Sequence, residues 1–146
     1  MIAKEKGESD PWDLKYAAGG LIDIEFAAQF LELVNAEAEP DILDPTTARV
    51  LEKGARLGLL KPEDADVLRP AVKLFHDLIQ ILRLCLPGAF DPKTAAAGVL
   101  ALLARAADLP DFPALDAHIR ETERQARAAF ERIVVGAANG TTKSRT

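Results

Sequence analysis

The sequence predicts an all-α domain, built as a bundle of about five helices. Of its 146 residues, 26 are alanine and 20 are leucine, which are the residue types at the top of the helix-propensity scale. Valine and isoleucine together number only 15, and aromatic residues make up 5% of the chain. A β-sandwich or barrel would need more of both. Apolar residues also recur at three- and four-residue spacing, and no segment alternates apolar and polar residues as a half-buried strand does.

Prolines, glycines and capping residues divide the chain into helices. Asp44 and Asp91 each place a capping carboxylate before a proline, which suits the first position of a helix. Pro62 opens the third helix, and Pro70 within it removes a backbone donor, which predicts a kink or a split after two turns. The predicted helices are 20–36, 45–57, 62–86, 92–107 and 112–136.

The two ends of the chain differ from its middle. Residues 1–11 are polar with mixed charge, which predicts a flexible arm or linker. Residues 139–146 carry no periodic apolar side chains, which predicts a disordered tail. The helical domain is therefore expected to span residues 12–138.

Composition and charge exclude several classes of protein. The single cysteine, Cys85, rules out a disulfide framework or a zinc ribbon, and we expect it to be a small buried hydrophobe in a reducing cytosol. No apolar run approaches the roughly 18 residues that span a bilayer, and residues 1–12 lack the apolar core of a secretory signal. The net charge of −5 has the wrong sign for a nucleic-acid-binding surface. We therefore expect a cytoplasmic protein that binds neither nucleic acid nor a membrane.

The first predicted helix is apolar almost all round, so we expect it to be central, with neighbours on most sides. Asp23 lies among the apolar residues of its second face, where a carboxylate needs a partner. Asp23 and Glu25 are two residues apart and point in different directions, so they cannot form an acid–base pair or a two-carboxylate clamp. The first apolar face consists of Leu21, Ile24, Ala28 and Leu31, and the second of Ile22, Phe26, Phe30, Leu33 and Val34.

Arg83 is the partner predicted for Asp23. It lies at the edge of the apolar face of the third helix, and the first and third helices are the most apolar of the five, so they should be neighbours. The hypothesis is a partly buried ion pair that ties these helices together. The alternative is that Asp23 only interacts with the positive end of its own helix dipole.

The last predicted helix has one apolar face, and the rest of its surface is charged. Glu123 and Arg127 are four residues apart and are predicted to pair on the charged side. We expect that side to be solvated, with a partner-binding surface as the alternative. The apolar face consists of Leu115, Ile119, Thr122, Ala126, Phe130 and Ile133.

Two further features have some of the residues of a binding site. His76 precedes an aspartate, as in metal phosphohydrolases, but His118 is the only other histidine, so we expect His76 to be a surface residue and no metal to bind.

Lys15 precedes Gly19 and Gly20, which lead into the first helix. A lysine, free backbone N–H groups and a helix dipole together form an anion-binding site. The alternative is a solvated lysine beside a flexible hinge.

The segment from Trp12 to Leu33, WDLKYAAGGLIDIEFAAQFLEL, resembles a motif of bacterial glutamine synthetase adenylyltransferases. That motif reads K-x-x-x-G-G-(I/L/V)-x-D-I-E-F-x-x-Q, and the resemblance continues to about residue 136. The chain departs from it at Ala17-Ala18, where the family often has glycine or proline. The matching positions are Lys15, Gly19, Gly20, Asp23, Glu25, Phe26 and Gln29.

The resemblance implies a place in a longer enzyme. In that family the motif follows a nucleotidyltransferase domain and opens a helical domain. The letters I-D-I-E-F at residues 22–26 favour the carboxy-terminal, adenylylating half over the adenylyl-removing half. The implied reaction transfers AMP from ATP, with Mg²⁺, to a tyrosine of glutamine synthetase, and Lys15, Gly19 and Gly20 would contact the ATP phosphates. The implied partners are glutamine synthetase, the PII signalling protein and the enzyme's own nucleotidyltransferase domain.

The catalytic motif of that family does not occur in this sequence. Nucleotidyl transfer of this class uses G-S-x(n)-D-x-D, whose carboxylates bind Mg²⁺. Asp64-Ala65-Asp66 has the letters D-x-D, but it lies in the first turn of a predicted helix with no strand before it. We therefore expect no catalytic residue, metal or cofactor in this chain and no adenylyl transfer by it alone. The alternatives are a non-catalytic module that binds PII or glutamine, and the equivalent region of a PII uridylyltransferase.

Overall fold

The computed structural model describes the backbone of residues 10–86 and 88–145, and the side chains of those residues as far as 136. Within this part the chain forms five α-helices and one 3-10 helix, and it contains no strand. The all-α prediction is confirmed. The helices are α1 (Leu21–Asn35), α2 (Thr47–Arg56), α3 (Pro62–Cys85), α4 (Ala97–Ala106) and α5 (Phe112–Arg145), with the 3-10 helix (Pro40–Ile42) between α1 and α2.

The predicted bounds of α1, α2 and α3 agree with the structure to within two residues. The fourth helix begins at Ala97 rather than at 92, because Asp91 organises a separate turn. The Asp91 carboxylate accepts a hydrogen bond from the Lys93 N–H group, and its carbonyl accepts those of Thr94 and Ala95. The aspartate-proline pair therefore caps a turn and not a helix.

The ends of the domain differ from the prediction. Helix α5 continues to Arg145 rather than ending near residue 136, so the predicted tail at 139–146 overlaps this helix. The side chains of that tail lie outside the described residues, as do residues 1–9 of the predicted arm. The described end of the arm is held by Asp10, whose carboxylate accepts a hydrogen bond of 3.0 Å from the Trp12 N–H group. The domain boundaries at 12 and 138 stay a prediction.

Pro70 does not split α3, which runs without a break from Pro62 to Cys85. Proline lacks the N–H group that would bond to the carbonyl of residue 66. Both Asp66 and Pro70 are exposed, so water can bind that carbonyl in place of the missing donor. The predicted split after two turns is therefore wrong, whereas the alternative of a kink stays a prediction.

The central helix of the bundle is α3 and not α1. Helix α3 contacts all four other helices, and Leu68, Phe75 and Leu78 on it are completely buried. Helix α1 contacts α2, α3 and α5. The first apolar face of α1 is buried as predicted, with Leu21, Ile24, Ala28 and Leu31 each no more than 5% exposed.

The second apolar face of α1 is largely exposed, which corrects the prediction that this helix has neighbours on most sides. Ile22 is 37% exposed, Phe26 49%, Val34 54% and Leu33 81%. Phe30 is partly buried against the core. Helical spacing identified both faces of α1, but the domain itself buries only the first of them fully.

The carboxy-terminal turn of α3 extends past the core. Arg83, Leu84 and Cys85 are all exposed there, so the prediction of a buried Cys85 is wrong. Helical spacing places Cys85 on the same face as Leu78, but the fully buried part of that face ends at Leu78. His76, by contrast, is exposed as predicted.

A buried ion pair joins α3 to α5. The guanidinium of Arg132 donates two hydrogen bonds to Oδ1 of Asp64, with N···O distances of 2.9 and 2.6 Å. The Asp64 side chain is 4% exposed, whereas that of Arg132 is 50% exposed. The carboxylate therefore depends on Arg132 for the solvation that water would otherwise give, because a buried charge is costly unless it is paired.

Replacing Arg132 by alanine should lower the free energy of unfolding by about 1.5–3 kcal/mol, because it leaves the buried carboxylate of Asp64 without its charged donor. Arg124→Ala is the matched control, since Arg124 pairs with Glu121 on the exposed side of the same helix. That control should cost no more than about 0.5 kcal/mol. Urea denaturation followed by circular dichroism measures both values, and equal effects would contradict the assignment.

Candidate functional site at the Gly-Gly segment

Residues 12–20 lead into α1 and are called here the Gly-Gly segment. At the start of this segment Trp12 packs against two other aromatic rings. The Trp12 ring lies 5.2 Å from that of Phe112 and 5.2 Å from that of Phe90, measured between centroids. Its indole N–H donates a hydrogen bond of 2.7 Å to Asp116 on α5. Trp12 is 5% exposed, so the start of the segment is fixed to the first turns of α5.

The other end of the segment caps α1. The N–H group of Leu21 donates to the carbonyl of Leu14, and that of Ile22 donates to the carbonyl of Lys15, each at 2.9 Å. The N–H group of Gly20 donates to the carbonyl of Ala17 at 2.7 Å. A helix begins with backbone donors that lack a partner in the helix, and here the preceding turn supplies carbonyls for them.

Both glycines are required by close packing. A Cβ atom on Gly19 would lie 1.9 Å from the carbonyl oxygen of Glu123 on α5, and a Cβ atom on Gly20 would lie 2.4 Å from the carbonyl oxygen of Leu14. Gly19 also has a φ angle of 81°, which favours glycine. Gly19 therefore lets the segment touch the main chain of α5, and Gly20 lets the segment turn back against its own main chain at Leu14.

Asp23 joins the segment, α1 and α5. Its Oδ2 atom accepts a hydrogen bond of 2.7 Å from the Gly19 N–H group and another of 2.9 Å from the Arg127 guanidinium. The same guanidinium lies 4.7 Å from the centre of the Phe130 ring, measured from Cζ, within the range of a cation–π interaction. Asp23 thus has the partner that its apolar surroundings require.

The predicted partner of Asp23, Arg83, is wrong. Arg83 is exposed and its nearest polar contact is Gln80 on its own helix, at 3.5 Å. The side of α1 that carries Asp23 faces α5 and not α3. Helical spacing assigns a residue to a face, but it cannot say which neighbouring helix covers that face. Spacing alone placed Arg127 on the solvated side of the last helix.

Glu123 is buried rather than solvated, which corrects its predicted position on the charged side of α5. The residue is 6% exposed, and its Oε2 atom has no hydrogen-bond partner among the described residues. Burial raises the pKa of the Glu123 carboxyl to about 8; Arg120 opposes the rise, and the charges of Asp10, Asp116 and Asp13 add to it. The carboxyl is therefore largely protonated at neutral pH, and the predicted Glu123–Arg127 pair does not form. Its burial results from the Gly-Gly segment, which lies directly over this part of α5.

The remaining motif residues lie at the surface or near it. Lys15 is exposed, with Nζ 5.8 Å from the centre of the Tyr16 ring. Gln29 is exposed and Glu25 is half-buried, while the Phe26 ring lies 5.9 Å from that of Phe130. Among the described residues, no group of three or more His, Cys, Asp or Glu side chains is arranged to hold a metal ion.

The anion site expected from the sequence is changed by these contacts. The Gly19 N–H group already donates to Asp23, and the Gly20 N–H group already donates to Ala17. Neither donor is free for a phosphate, so the expectation that both glycines contribute backbone donors is corrected. A nucleotide contact through the exposed ammonium of Lys15 stays a prediction.

More than half of the chain matches the model of a known protein family. The family model described as GlnD PII-uridylyltransferase matches residues 3–86, which include the Gly-Gly segment and α1, α2 and α3. The chain belongs to this family. None of the helices in its described part is both long and apolar enough to cross a membrane.

Curated relatives of this family member are considerably longer than the chain itself. The bifunctional glutamine synthetase adenylyltransferase/adenylyl-removing enzyme of Rhodopseudomonas palustris (strain HaA2) is 55% identical over 135 residues, which cover 92% of this chain and 14% of the relative. The enzyme of the same name from Xanthobacter autotrophicus is 53% identical over 137 residues, or 94% of this chain and 14% of the relative. The resemblance to glutamine synthetase adenylyltransferases is confirmed, and the chain spans about a seventh of the length of these relatives.

A substitution at Gly19 tests the close contact with α5. Gly19→Ala should lower the free energy of unfolding by several kcal/mol, because it adds a steric clash with the Glu123 carbonyl to the strain of a positive φ angle. Gly58→Ala is the matched control. Gly58 has a φ angle of 78°, but a Cβ atom there would have nothing within 4 Å, so only the backbone strain of about 1–2 kcal/mol remains. Equal losses in thermal or urea unfolding would show that the contact is not tight.

The burial of Glu123 predicts a pH dependence of stability. Its pKa is about 8 in the folded chain against an ordinary value of 4.5, so the folded state holds a proton that the unfolded state releases between these pH values. The stability associated with this proton is complete below about pH 4.5 and is lost as the pH rises through about 8. The loss is on the order of a few kcal/mol.

Glu123→Gln should therefore flatten the fall in stability between pH 5 and pH 9, because glutamine is neutral throughout. Glu121→Gln is the matched control on the same helix. Hydrogen bonds from Arg124 and Gln125 lower the pKa of Glu121 to about 2, so it stays charged over this range and its replacement should leave the slope unchanged. Urea unfolding at several pH values measures the slopes, and a wild-type slope in the Glu123→Gln variant would contradict the burial of a protonated carboxyl.

Proposed function

We propose that this chain is the helical domain of a glutamine synthetase adenylyltransferase, and that it supports the transfer of AMP from ATP to a tyrosine of glutamine synthetase. The observation that carries the proposal is the 55% identity to such an enzyme over 92% of this chain, in a relative of which the chain spans only 14%. The catalytic carboxylates and the Mg²⁺ ions that they hold would then belong to a nucleotidyltransferase domain elsewhere in a cytoplasmic polypeptide.

The geometry of the Gly-Gly segment supports a positioning role for this domain. The segment is fixed at Trp12, at the Gly19 contact with α5 and at the Asp23–Arg127 pair. Lys15 lies between these fixed points with its ammonium exposed. A cation on a rigid segment can bind a phosphate with little loss of conformational freedom. Lys15 is therefore proposed to contact the ATP phosphates from the side of the helical domain.

A second candidate function is a binding module for the PII protein or glutamine. The description of the matching family model, PII-uridylyltransferase, favours this second candidate, because it names the PII protein. The resemblance to glutamine synthetase adenylyltransferases implies PII as a partner as well. The exposed apolar face of α1 would suit a protein partner. Binding of PII or glutamine by the 146-residue chain, with no effect of Lys15 on nucleotide use, would favour this candidate.

The test is AMP transfer by a full-length adenylyltransferase that carries this segment. Lys15→Ala should reduce kcat/KM for ATP by about 10- to 100-fold, which corresponds to the loss of one charged hydrogen bond. The free energy of unfolding of the Lys15→Ala variant should be unchanged, since Lys15 is exposed. Lys93→Ala, which removes another lysine of the surface in the turn before α4, is the matched control and should leave both quantities unchanged.

Two results would contradict the proposal. If Lys15→Ala behaves like Lys93→Ala in steady-state kinetics, Lys15 does not contact the nucleotide. If an enzyme that lacks residues 12–136 still adenylylates glutamine synthetase at the normal rate, the helical domain does not support the reaction.

A further inference from the structure

The exposed apolar face of α1 is a continuous stripe along one rigid helix. We define the α1 stripe as Ile22, Phe26, Phe30, Leu33 and Val34, which recur at helical spacing over most of the helix. Gln29 lies within it, and so does Asp23, whose carboxylate is already paired with Arg127. Leu33 is 81% exposed although Leu31, two positions earlier, is 4% exposed. Single exposed apolar residues are ordinary, but a contiguous stripe marks an interaction surface.

The stripe is held in place by the domain behind it. Ile24 and Ala28, on the first apolar face of α1, are no more than 2% exposed, and the Asp23–Arg127 ion pair fastens the same helix to α5 at 2.9 Å. Phe26 also contacts the Phe130 ring of α5. An interface that is already ordered loses little conformational entropy when it is covered. The stripe is therefore suited to a permanent contact.

The position of the stripe indicates which part of a longer protein would cover it. Its first residue, Ile22, donates its N–H group to the carbonyl of Lys15 at 2.9 Å, so the stripe begins beside the Gly-Gly segment. The Lys15 ammonium is exposed at this end of the stripe, 5.8 Å from the centre of the Tyr16 ring. A domain that brings ATP to Lys15 would therefore also meet Ile22, the first residue of the stripe.

The length of the relatives supplies a covering partner within the same chain. This chain spans 14% of the R. palustris and X. autotrophicus enzymes, so most of such a polypeptide lies outside it. We propose that the α1 stripe is an intramolecular interface, covered in the full-length enzyme by an apolar face of the ATP-binding domain. This inference rests on the proposed function and extends it, because it assigns the contact between the two domains to named residues.

Thiol labelling at position 33 tests the interface directly and does not depend on AMP transfer. The substitution Leu33→Cys should not affect folding, because the leucine side chain is 81% exposed. The variant is labelled with a maleimide in the 146-residue chain and in a full-length adenylyltransferase that carries this segment, and mass mapping separates the introduced thiol from the exposed Cys85. In the full-length protein the introduced thiol should react at least about tenfold more slowly than in the short chain, because a covered thiol reacts only when the interface opens.

The labelling rates distinguish the possible occupants. Equal rates in the two proteins overturn the proposal. Slow labelling in the short chain that becomes faster on dilution also overturns it, since the occupant is then a second copy of this chain. Protection in the full-length protein supports the interface even if Lys15→Ala has no kinetic effect, so failure of the nucleotide contact and failure of the interface can be told apart.

A charge in the stripe provides the functional readout. Leu33→Lys should leave the unfolding of the short chain unchanged but lower the AMP-transfer rate of the full-length enzyme by about tenfold or more, because a buried lysine opposes docking of the two domains. Leu84→Lys is the matched control, since Leu84 is 78% exposed at the end of α3 and lies outside the stripe. Equal activities of the two variants would count against the interface.

Discussion

The main chain of the Gly-Gly segment lies against the main chain of α5, and this contact constrains the site on every side. A Cβ atom at residue 19 would be 1.9 Å from the Glu123 carbonyl oxygen, so only glycine permits the approach. Once Gly19 is in place, its N–H group points to Asp23, and Asp23 in turn accepts a hydrogen bond from Arg127 of α5. One steric condition thus fixes the entry of α1, the neighbour of α1 and the ion pair between them.

The same contact accounts for the unusual state of Glu123. The segment that passes over α5 removes this carboxyl from water, and its Oε2 atom has no partner among the described residues. A protonated carboxyl tolerates that environment far better than a carboxylate does, which is why the pKa rises to about 8. Stability and packing are therefore coupled at one position, because the close approach that Gly19 allows also determines the charge of Glu123.

The fold could be predicted from the sequence to a greater extent than the contacts of the site. Proline and glycine positions set the bounds of α1, α2 and α3 because they act on the local backbone, which needs no knowledge of neighbouring helices. Helical spacing also identified the two apolar faces of α1. The partner of Asp23, the burial of Glu123 and the exposure of Cys85 depend on which helices are adjacent and how far each extends, and spacing within one helix carries no such information. The motif K-x-x-x-G-G-x-x-D contained a signal for the Gly19–Asp23 contact, since the two residues are four positions apart, but nothing local pointed to Arg127.

The two faces of α1 explain why this helix is apolar almost all round although it is not the central helix. A helix that belonged only to this bundle would need one apolar face, and α1 has that face in Leu21, Ile24, Ala28 and Leu31. The second face is used only in part within the bundle, where Phe26 contacts Phe130 and Phe30 packs against the core. Its exposed remainder favours association with other apolar surfaces. It becomes intelligible if α1 is shared between two units of a longer polypeptide, one packed on each side. The bundle then forms one side of an interface between two units, and the Gly-Gly segment at the start of α1 lies at the edge of that interface.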